Sequence, residues 1–436
     1  MDGHRATENV STKLQRIAKL AQQDKRLRFT SLAHLLTVAY LKENLKQLNQ
    51  HAAPGIDGMT IKEYWNDVDT RLNDLHTRLR EGQYRASPVR RTYIPKANGE
   101  KRPLGIPTVE DRTVQRAVAG IVGTIYEPYF CEFSYGFRPA RSCHDALERL
   151  RQIVDKQPIR FVVEADIKAY FDTVNHEWLR KFLSHRIADS TIQRLVGKWL
   201  RSGIMENGVI CHNEDGTPQG GPISPLLANI YLHYVLDQWF LVRFRKSVKG
   251  ACELIRYADD FVVCFERHDE AIRFLNELRE RFEQFHLTLS EEKTRIVQYG
   301  KWSDLNGNAG PAVMPRTFDF LGFTHYMRKR ESRGYRVARK PSRKSCNKFL
   351  RKVKEFVSRH RDRNVYWQGH ILKAKLRGYY NYFGLRYCKR SLEHVKWHTE
   401  HIWISTLRRR SQRHRLQWER VGKYPWFNLL PEPKLR

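Results

Sequence analysis

Ile255-Arg256-Tyr257-Ala258-Asp259-Asp260-Phe261-Val262-Val263 sets two adjacent carboxylates between two short runs of strand-forming residues. The stretch 254–265 therefore reads as a hairpin with acid at its tip. Upstream, Phe161-Val162-Val163-Glu164-Ala165-Asp166-Ile167 is a second apolar strand that ends in acid. Ionised carboxylates among such neighbours are costly unless they are paired or bind a metal. With the two strands side by side, Asp166 and Asp259 share one face of a sheet and offer the oxygen donors that Mg²⁺ prefers. Two such ions about 3.5–4 Å apart would clamp the attacking and leaving oxygens of a phosphoryl displacement. An isolated Asp-Asp pair more often caps a hairpin; the acid on the second strand and the charge of the whole chain favour phosphoryl transfer. Glu164 falls on the same face as Asp166 and reads as a salt-bridge partner. Asp172 reads as the cap of a helix starting near Val174.

Around these strands lie 436 residues, enough for two or three domains. Lys and Arg number 79 against 47 Asp and Glu, a formal charge of +32. A surface this one-sided favours a polyanionic partner. The charge is unevenly placed: 328–436 holds 32 basic and 7 acidic residues, whereas the first 327 hold 47 and 40. A boundary near 327 follows, with a globular body before it and a nucleic-acid-gripping appendage after it. The seven cysteines, at 131, 143, 211, 252, 264, 346 and 388, form no CxxC pair. That argues against a zinc ribbon and suits a reducing cytosol. No signal peptide and no apolar run of membrane-spanning length is present, so the expectation is a cytoplasmic protein without a membrane partner.

Leu14, Ile17, Leu20, Leu32, Leu35 and Leu36 recur at helical spacing, predicting helix across 12–50. Ala53 to Gly58 is a turn-rich break, followed by helix to about 82. Val89 to Pro95 reads as a strand leading into an Asn98-Gly99 hairpin turn. Helix period returns over Glu110–Tyr126. Beyond 340 the chain is helical and basic, with Phe349, Val353, Phe356 and Val357 on one apolar face and Leu372, Leu376, Tyr379, Tyr380 and Phe383 on another. The fold class is α+β with an antiparallel sheet.

With these residues in place, the chain resembles the reverse transcriptases encoded by bacterial group II introns. Tyr257-Ala258-Asp259-Asp260 resembles that family's active-site hairpin, and Asp166-Ile167-Lys168-Ala169-Tyr170-Phe171-Asp172 its preceding metal block. Further blocks keep the family's order: Ile94-Pro95-Lys96 with Lys101 to Pro107, Ser134-Tyr135-Gly136-Phe137-Arg138-Pro139, and Thr217-Pro218-Gln219-Gly220-Gly221 running on to Asn229. Leu287 to Thr294 and Phe320-Leu321-Gly322-Phe323 follow, and Leu376 to Phe383 resembles the maturase core. Any one block is weak; the ordered set, across roughly 50–400, is specific.

The resemblance implies a right-hand polymerase with fingers and an antiparallel palm, then an α-helical thumb or maturase domain and a basic tail. The expected divisions are 1–90 (N-terminal extension and first fingers segment), 91–326 (fingers and palm), 327–400 (thumb) and 401–436 (tail). It further implies two Mg²⁺ ions, with Mn²⁺ as a substitute, on Asp166, Asp259, Asp260 and the Ile167 carbonyl. Lys96, Arg102, Phe171, Gln219 and Lys293 would handle the nucleotide: phosphate contacts from Lys96 and Arg102, sugar selection by Phe171, a place near the nascent base pair for Gln219, and the leaving pyrophosphate for Lys293. Leu321 and Gly322 would form the primer grip. Arg138, Arg377, Arg408, Arg409 and Arg410 would contact RNA or DNA.

The implied partners are the group II intron RNA, an RNA template with a DNA primer, dNTPs and target DNA, with homodimerisation and association with the bacterial nucleoid as further expectations. No Cys-bearing nuclease domain follows the tail, so cleavage of a second DNA strand is not expected. Two alternatives stand beside the intron reading. One is a related reverse transcriptase with a host role in phage defence or CRISPR adaptation. The other is an RNA-binding splicing factor with a vestigial polymerase site, against which the intact aspartates argue.

Overall fold

Alternating apolar stretches become strands much as the pattern predicts. The computed structural model describes residues 2–95, 101–206, 209–211, 216, 220–300, 317–329, 335–410, 416 and 421–435. Its strands are β1 (Val89–Pro95), β2 (Lys101–Ile106), β3 (Phe161–Asp166), β4 (Ile204–Glu206), β5 (Val209–Cys211), β6 (Cys252–Tyr257), β7 (Asp260–Phe265), β8 (Arg295–Gln298), β9 (Phe318–Phe320), β10 (Phe323–Lys329) and β11 (Tyr335–Pro341). They form three sheets, ordered β2-β1-β4-β5, β6-β7-β3-β8 and β11-β10-β9. The first is mixed, because β1 pairs antiparallel with β2 but parallel with β4. Pro95 lies opposite Lys101, as a hairpin requires, while the Asn98-Gly99 turn itself lies outside the described residues.

Contacts divide the chain into two compact units. One comprises Met1–Arg149, Ala165–Phe261 and Asp269–Arg295; the other Leu150–Glu164, Val262–His268 and Ile296–Arg436. Strands β3 and β7 each run from one unit into the other.

The first unit is organised on the helix Val109–Tyr126, which buries Val114, Ala117, Val118, Ile121, Val122 and Ile125. Each buried Val or Ile side chain stabilises the fold by about 1.5–3 kcal/mol relative to exposure. The helix is capped by Thr108, whose hydroxyl accepts from the Asp111 amide at 3.1 Å. The helix predicted across 12–50 is instead broken. Helix Asp2–Gln23 ends, and the chain resumes with a short turn at Ala33–Leu35 and the helix Val38–Lys46. Between them Phe29 pairs with the backbone at Arg186 and Ala188, and Asp189 accepts from the amides of Leu32 and Ala33 at 2.6 and 2.9 Å. A partner about 157 residues away in sequence thus overrides local periodicity.

In the second unit, β9 to β11 precede three helices, Arg343–Arg359, Val365–Phe383 and Lys389–Arg408. Ser342 and Asn364 cap the first two. Their apolar faces bury Val353, Val357, Leu372, Leu376, Tyr379, Tyr380, Leu392, Val395, Trp403 and Leu407. Among the described residues no helix is long and apolar enough to cross a membrane.

Candidate active site

Strand order brings the acidic ends together. β7 lies between β6 and β3. The amide of Arg160 donates to the carbonyl of Phe265 at 2.9 Å, so the start of β3 meets the end of β7 and the two run antiparallel. Continued without a bulge, this register sets Ala165 opposite Asp260, the first residue of β7, so that Asp166 follows at the end where the turn carrying Asp259 begins. All three aspartates are half-buried. Ile167 is buried and bridges to Leu289, and Ser290 donates its amide to the Asp166 carbonyl at 2.8 Å. A single 3₁₀ turn, Glu291–Lys293, then interrupts this edge and lifts the Lys293 ammonium onto the Asp166 carboxylate.

The three carboxylates do not gather within 4.8 Å of one another. Lys293 meets the demand for positive charge at Asp166. Oxygen-only donors, half-buried and partly neutralised by an ammonium, fit a hard divalent cation. Among the described residues, the one set of three possible ligands within 4.8 Å is the buried group Cys131, His233 and Asp237. It is poorly suited to a metal. Burial keeps the His233 imidazole neutral and pushes the Cys131 thiol up to about 12, and both Asp237 oxygens already accept from Arg256, at 2.8 and 2.5 Å.

The turn carrying Asp259 is held from below. Ala258 has φ 58°, in the left-handed region that costs a non-glycine residue roughly 1–2 kcal/mol. Arg256, wholly buried in β6, donates to Asp237, to Asn229 Oδ1 at 3.0 Å and to the Ala258 carbonyl at 3.0 Å. From the other side, the Gly136 backbone presses on the turn: a Cβ there would lie 2.3 Å from the Ala258 nitrogen. Gly220, φ 122°, makes an equally close approach to the Gly105 carbonyl, which only a glycine allows.

Phe171 is half-buried, its ring 5.5 Å from that of Tyr170, whose hydroxyl donates to the Ala228 carbonyl at 2.6 Å. Ala169, φ 47°, precedes this short helix, Tyr170–Thr173. Asp172 lies inside that helix and is not the cap of the next; Asn175 takes that place, accepting from the Trp178 amide at 3.0 Å. Lys96 and Gln219 lie outside the described residues, as does the Arg102 side chain.

Arg138 departs from expectation. Its guanidinium is buried, bonded to Glu127 at 2.7 Å and to the carbonyls of Cys131 and Ser134 at 2.7 and 2.8 Å. A guanidinium committed in this way braces its own loop and is not presented to nucleic acid. Arg377, Arg408, Arg409 and Arg410 are exposed, although Arg408 bonds the Leu416 carbonyl and Arg410 that of Arg363.

In the second unit, Leu321 and Gly322 have φ 50° and 78°, the pair of positive angles that a type I′ hairpin needs between β9 and β10. Tyr382 donates to the Leu321 carbonyl at 2.9 Å, and Ser345 to that of Gly322 at 3.0 Å. Phe323 packs on Phe383 at 4.9 Å. The Leu376–Phe383 block thus anchors the Leu321-Gly322 turn.

The sequence reading gave no role to Arg256, Asn229 or Asp237. The available signal was an arginine inside an otherwise apolar strand, which demands a buried partner.

Comparison with known proteins agrees with this geometry. Residues 94–325 match the family described as reverse transcriptase (RNA-dependent DNA polymerase), and residues 346–424 the group II intron maturase-specific domain. Protein YkfC of Escherichia coli is 36% identical over 324 residues, 66% of this chain and 84% of that protein. The group II intron-encoded protein LtrA of Lactococcus lactis is 40% identical over 235 residues, 52% of this chain but only 38% of LtrA. A 91 kDa protein of a cob intron in Schizosaccharomyces pombe is 37% identical over 208 residues, 47% of this chain and 24% of that protein. Reverse transcriptases as a class use divalent metal ions. The chain belongs to the group II intron reverse transcriptases and maturases, RNA-dependent DNA polymerases joined to a maturase-specific domain.

Proposed function

We propose that this protein extends a DNA primer on an RNA template and that it binds its own group II intron RNA, assisting splicing and then retrohoming by target-primed reverse transcription. The observation that supports the polymerase reading is the antiparallel run of β3 on β7, with Asp166 at the end of β3, Asp259 and Asp260 at the hairpin tip that opens β7, and Lys293 on the Asp166 carboxylate.

Asp166, Asp259 and Asp260, with the Ile167 carbonyl, would hold two Mg²⁺ ions, or Mn²⁺ in their place. Bound there, the ions supply Lewis acidity and charge neutralisation at the triphosphate. Lys293 pairs with Asp166 and could give a proton to the departing pyrophosphate. Phe171 sits half-buried beside Tyr170, where its ring can bar a 2′-hydroxyl. Lys96 and Arg102 contact the triphosphate, and Gln219 lies by the nascent pair. Leu321 and Gly322 would form the primer grip with their backbone. Arg377, Arg408, Arg409 and Arg410 are exposed cations suited to phosphate, and they bind intron RNA, the target DNA and hence the nucleoid.

Primer extension with dNTPs and Mg²⁺ on an RNA template tests the reading. Full-length cDNA from the native chain and none from Asp259→Ala is expected; equal synthesis by both would overturn it. Phe171→Ala should admit ribonucleotides, and unchanged rejection would remove Phe171 from the sugar gate.

A further inference from the structure

We propose that Arg256 is a positioning residue for polymerisation: with Asn229 and Asp237 it fixes the Ala258 carbonyl, and through that peptide the Asp259 carboxylate. The inference rests on the active-site reading above and extends it to residues that touch neither metal nor nucleotide.

Four directed bonds define the hub. The Arg256 guanidinium donates to both oxygens of Asp237, to Asn229 Oδ1 and to the Ala258 carbonyl. The Ala258 carbonyl belongs to the same peptide as the Asp259 amide, so holding it sets the plane from which the Asp259 side chain departs. Ala258 is in a left-handed conformation, which persists only where its surroundings over-determine it. Asn229 closes the frame: it accepts from Arg256 and donates to the Gly136 carbonyl at 2.7 Å, and Gly136 is the residue pressed on the Ala258 nitrogen. The β6 backbone joins the same loop, Arg256 N–H donating to the Phe133 carbonyl at 2.9 Å and Tyr135 N–H to that of Arg256 at 2.8 Å. Asp237 is delivered by a π-helical turn, His233–Asp237, that continues the helix Ser224–Leu232 carrying Asn229.

Stability alone does not account for this arrangement. A buried ion pair is often no more stabilising than well-packed apolar residues of similar volume. An ion pair also has no need of a bond to the carbonyl of the catalytic turn, nor of an asparagine bridging that turn to the loop beneath it.

The test uses the full chain and two variants, Arg256→Met/Asp237→Leu and Asn229→Ala. The double variant removes both charges together. Melting, kcat, KM for dNTP, the Mg²⁺ concentration giving half-maximal rate, and hydrogen–deuterium exchange of the segment 255–262 are measured. The expected result for the double variant is a fold retained, kcat lower by about tenfold or more, KM within about twofold, a raised Mg²⁺ requirement and faster exchange at the turn. Asn229→Ala should shift each readout the same way by a smaller factor, and it carries the test if the double variant fails to fold. Wild-type kcat, Mg²⁺ requirement and exchange in a folded variant would overturn the proposal. So would a rate loss that disappears when normalised to the folded fraction. If the native chain itself extends no primer, the polymerase reading fails, while exchange at the turn still decides whether Arg256 tethers it.

Discussion

Two left-handed turns, Ala258-Asp259 and Leu321-Gly322, are held in opposite ways. Beneath the first lies a buried charged hub, Arg256 with Asp237, stitched to Asn229 and Gly136. The second rests on neutral hydroxyl donors, Tyr382 and Ser345, and on packing of Phe323 against Phe383. The contrast fits the roles proposed for the two turns. A turn that must present an acid at a fixed angle gains from a stiff polar support in low dielectric, where each bond is strong and each loss is costly. A turn that offers only its backbone to a primer end can be held by interactions worth about 1 kcal/mol each.

The largest expected effect tests that difference in strength. Arg256→Ala alone strands the Asp237 carboxylate in the core and should cost about 3–5 kcal/mol in a denaturant melt, whereas Tyr382→Phe should cost about 1. Equal losses would erase the contrast. Glycine replacements come next. Gly136→Ala drives a Cβ into backbone, 2.3 Å from the Ala258 nitrogen, and should depress kcat by about tenfold or more. Gly322→Ala meets the Ser345 hydroxyl at 3.1 Å and the Phe383 ring at 3.7 Å, both side chains, and faces mainly the left-handed penalty of roughly 1–2 kcal/mol. A Gly136→Ala enzyme with native kcat would show that the turn tolerates displacement.

Titration separates the charged support from a buried carboxylate that lacks a cation. Asp111 accepts from Tyr84, Thr108 and the Ser87 amide, yet burial outweighs these bonds and pushes it up to about 6. Its folded value exceeds the unfolded one, so its contribution to stability is complete below about pH 4 and is lost as pH rises towards 6. Asp237 shifts the other way. Burial alone would raise it, but the Arg256 guanidinium prevails and lowers it. Its contribution is present above the ordinary carboxylate range and is lost as acid takes the pH below that range. Melting of Asp111→Asn between pH 4 and 6 should therefore be flatter than wild type by up to roughly 2–3 kcal/mol. An unchanged slope would mean that Asp111 does not titrate there. The smallest effect concerns the exposed arginines. Replacing Arg408, Arg409 and Arg410 with Gln should lower the salt slope of RNA binding by up to about three phosphate contacts; an unaltered slope would remove them from the interface.

Much of this architecture was legible beforehand. β3, β6 and β7 were read from apolar runs ending in acid, and the antiparallel pairing of β1 with β2 from the turn between them. Leu321-Gly322 stood out within its motif. What escaped depends on partners remote in sequence. Asp189 breaks the predicted first helix from about 157 residues away, and Arg256 meets Asp237 and Asn229 across 19 and 27 residues. Arg138 shows a different limit. Sequence counts its charge but not its exposure, and a buried guanidinium saturated by Glu127 and carbonyls has none left for phosphate. The motif assigns Lys293 to the pyrophosphate; its ion pair with Asp166 depends on the short 3₁₀ turn, which the motif does not show.

Anomalous diffraction from Mn²⁺ in crystals of the chain with RNA template, terminated DNA primer and dNTP examines the shared aspartate site without relying on turnover. Metal peaks bridging the Asp166 and Asp259 carboxylates, with Lys293 moved off Asp166, are predicted. A bound nucleotide with manganese elsewhere, and Lys293 still seated on Asp166, would contradict it.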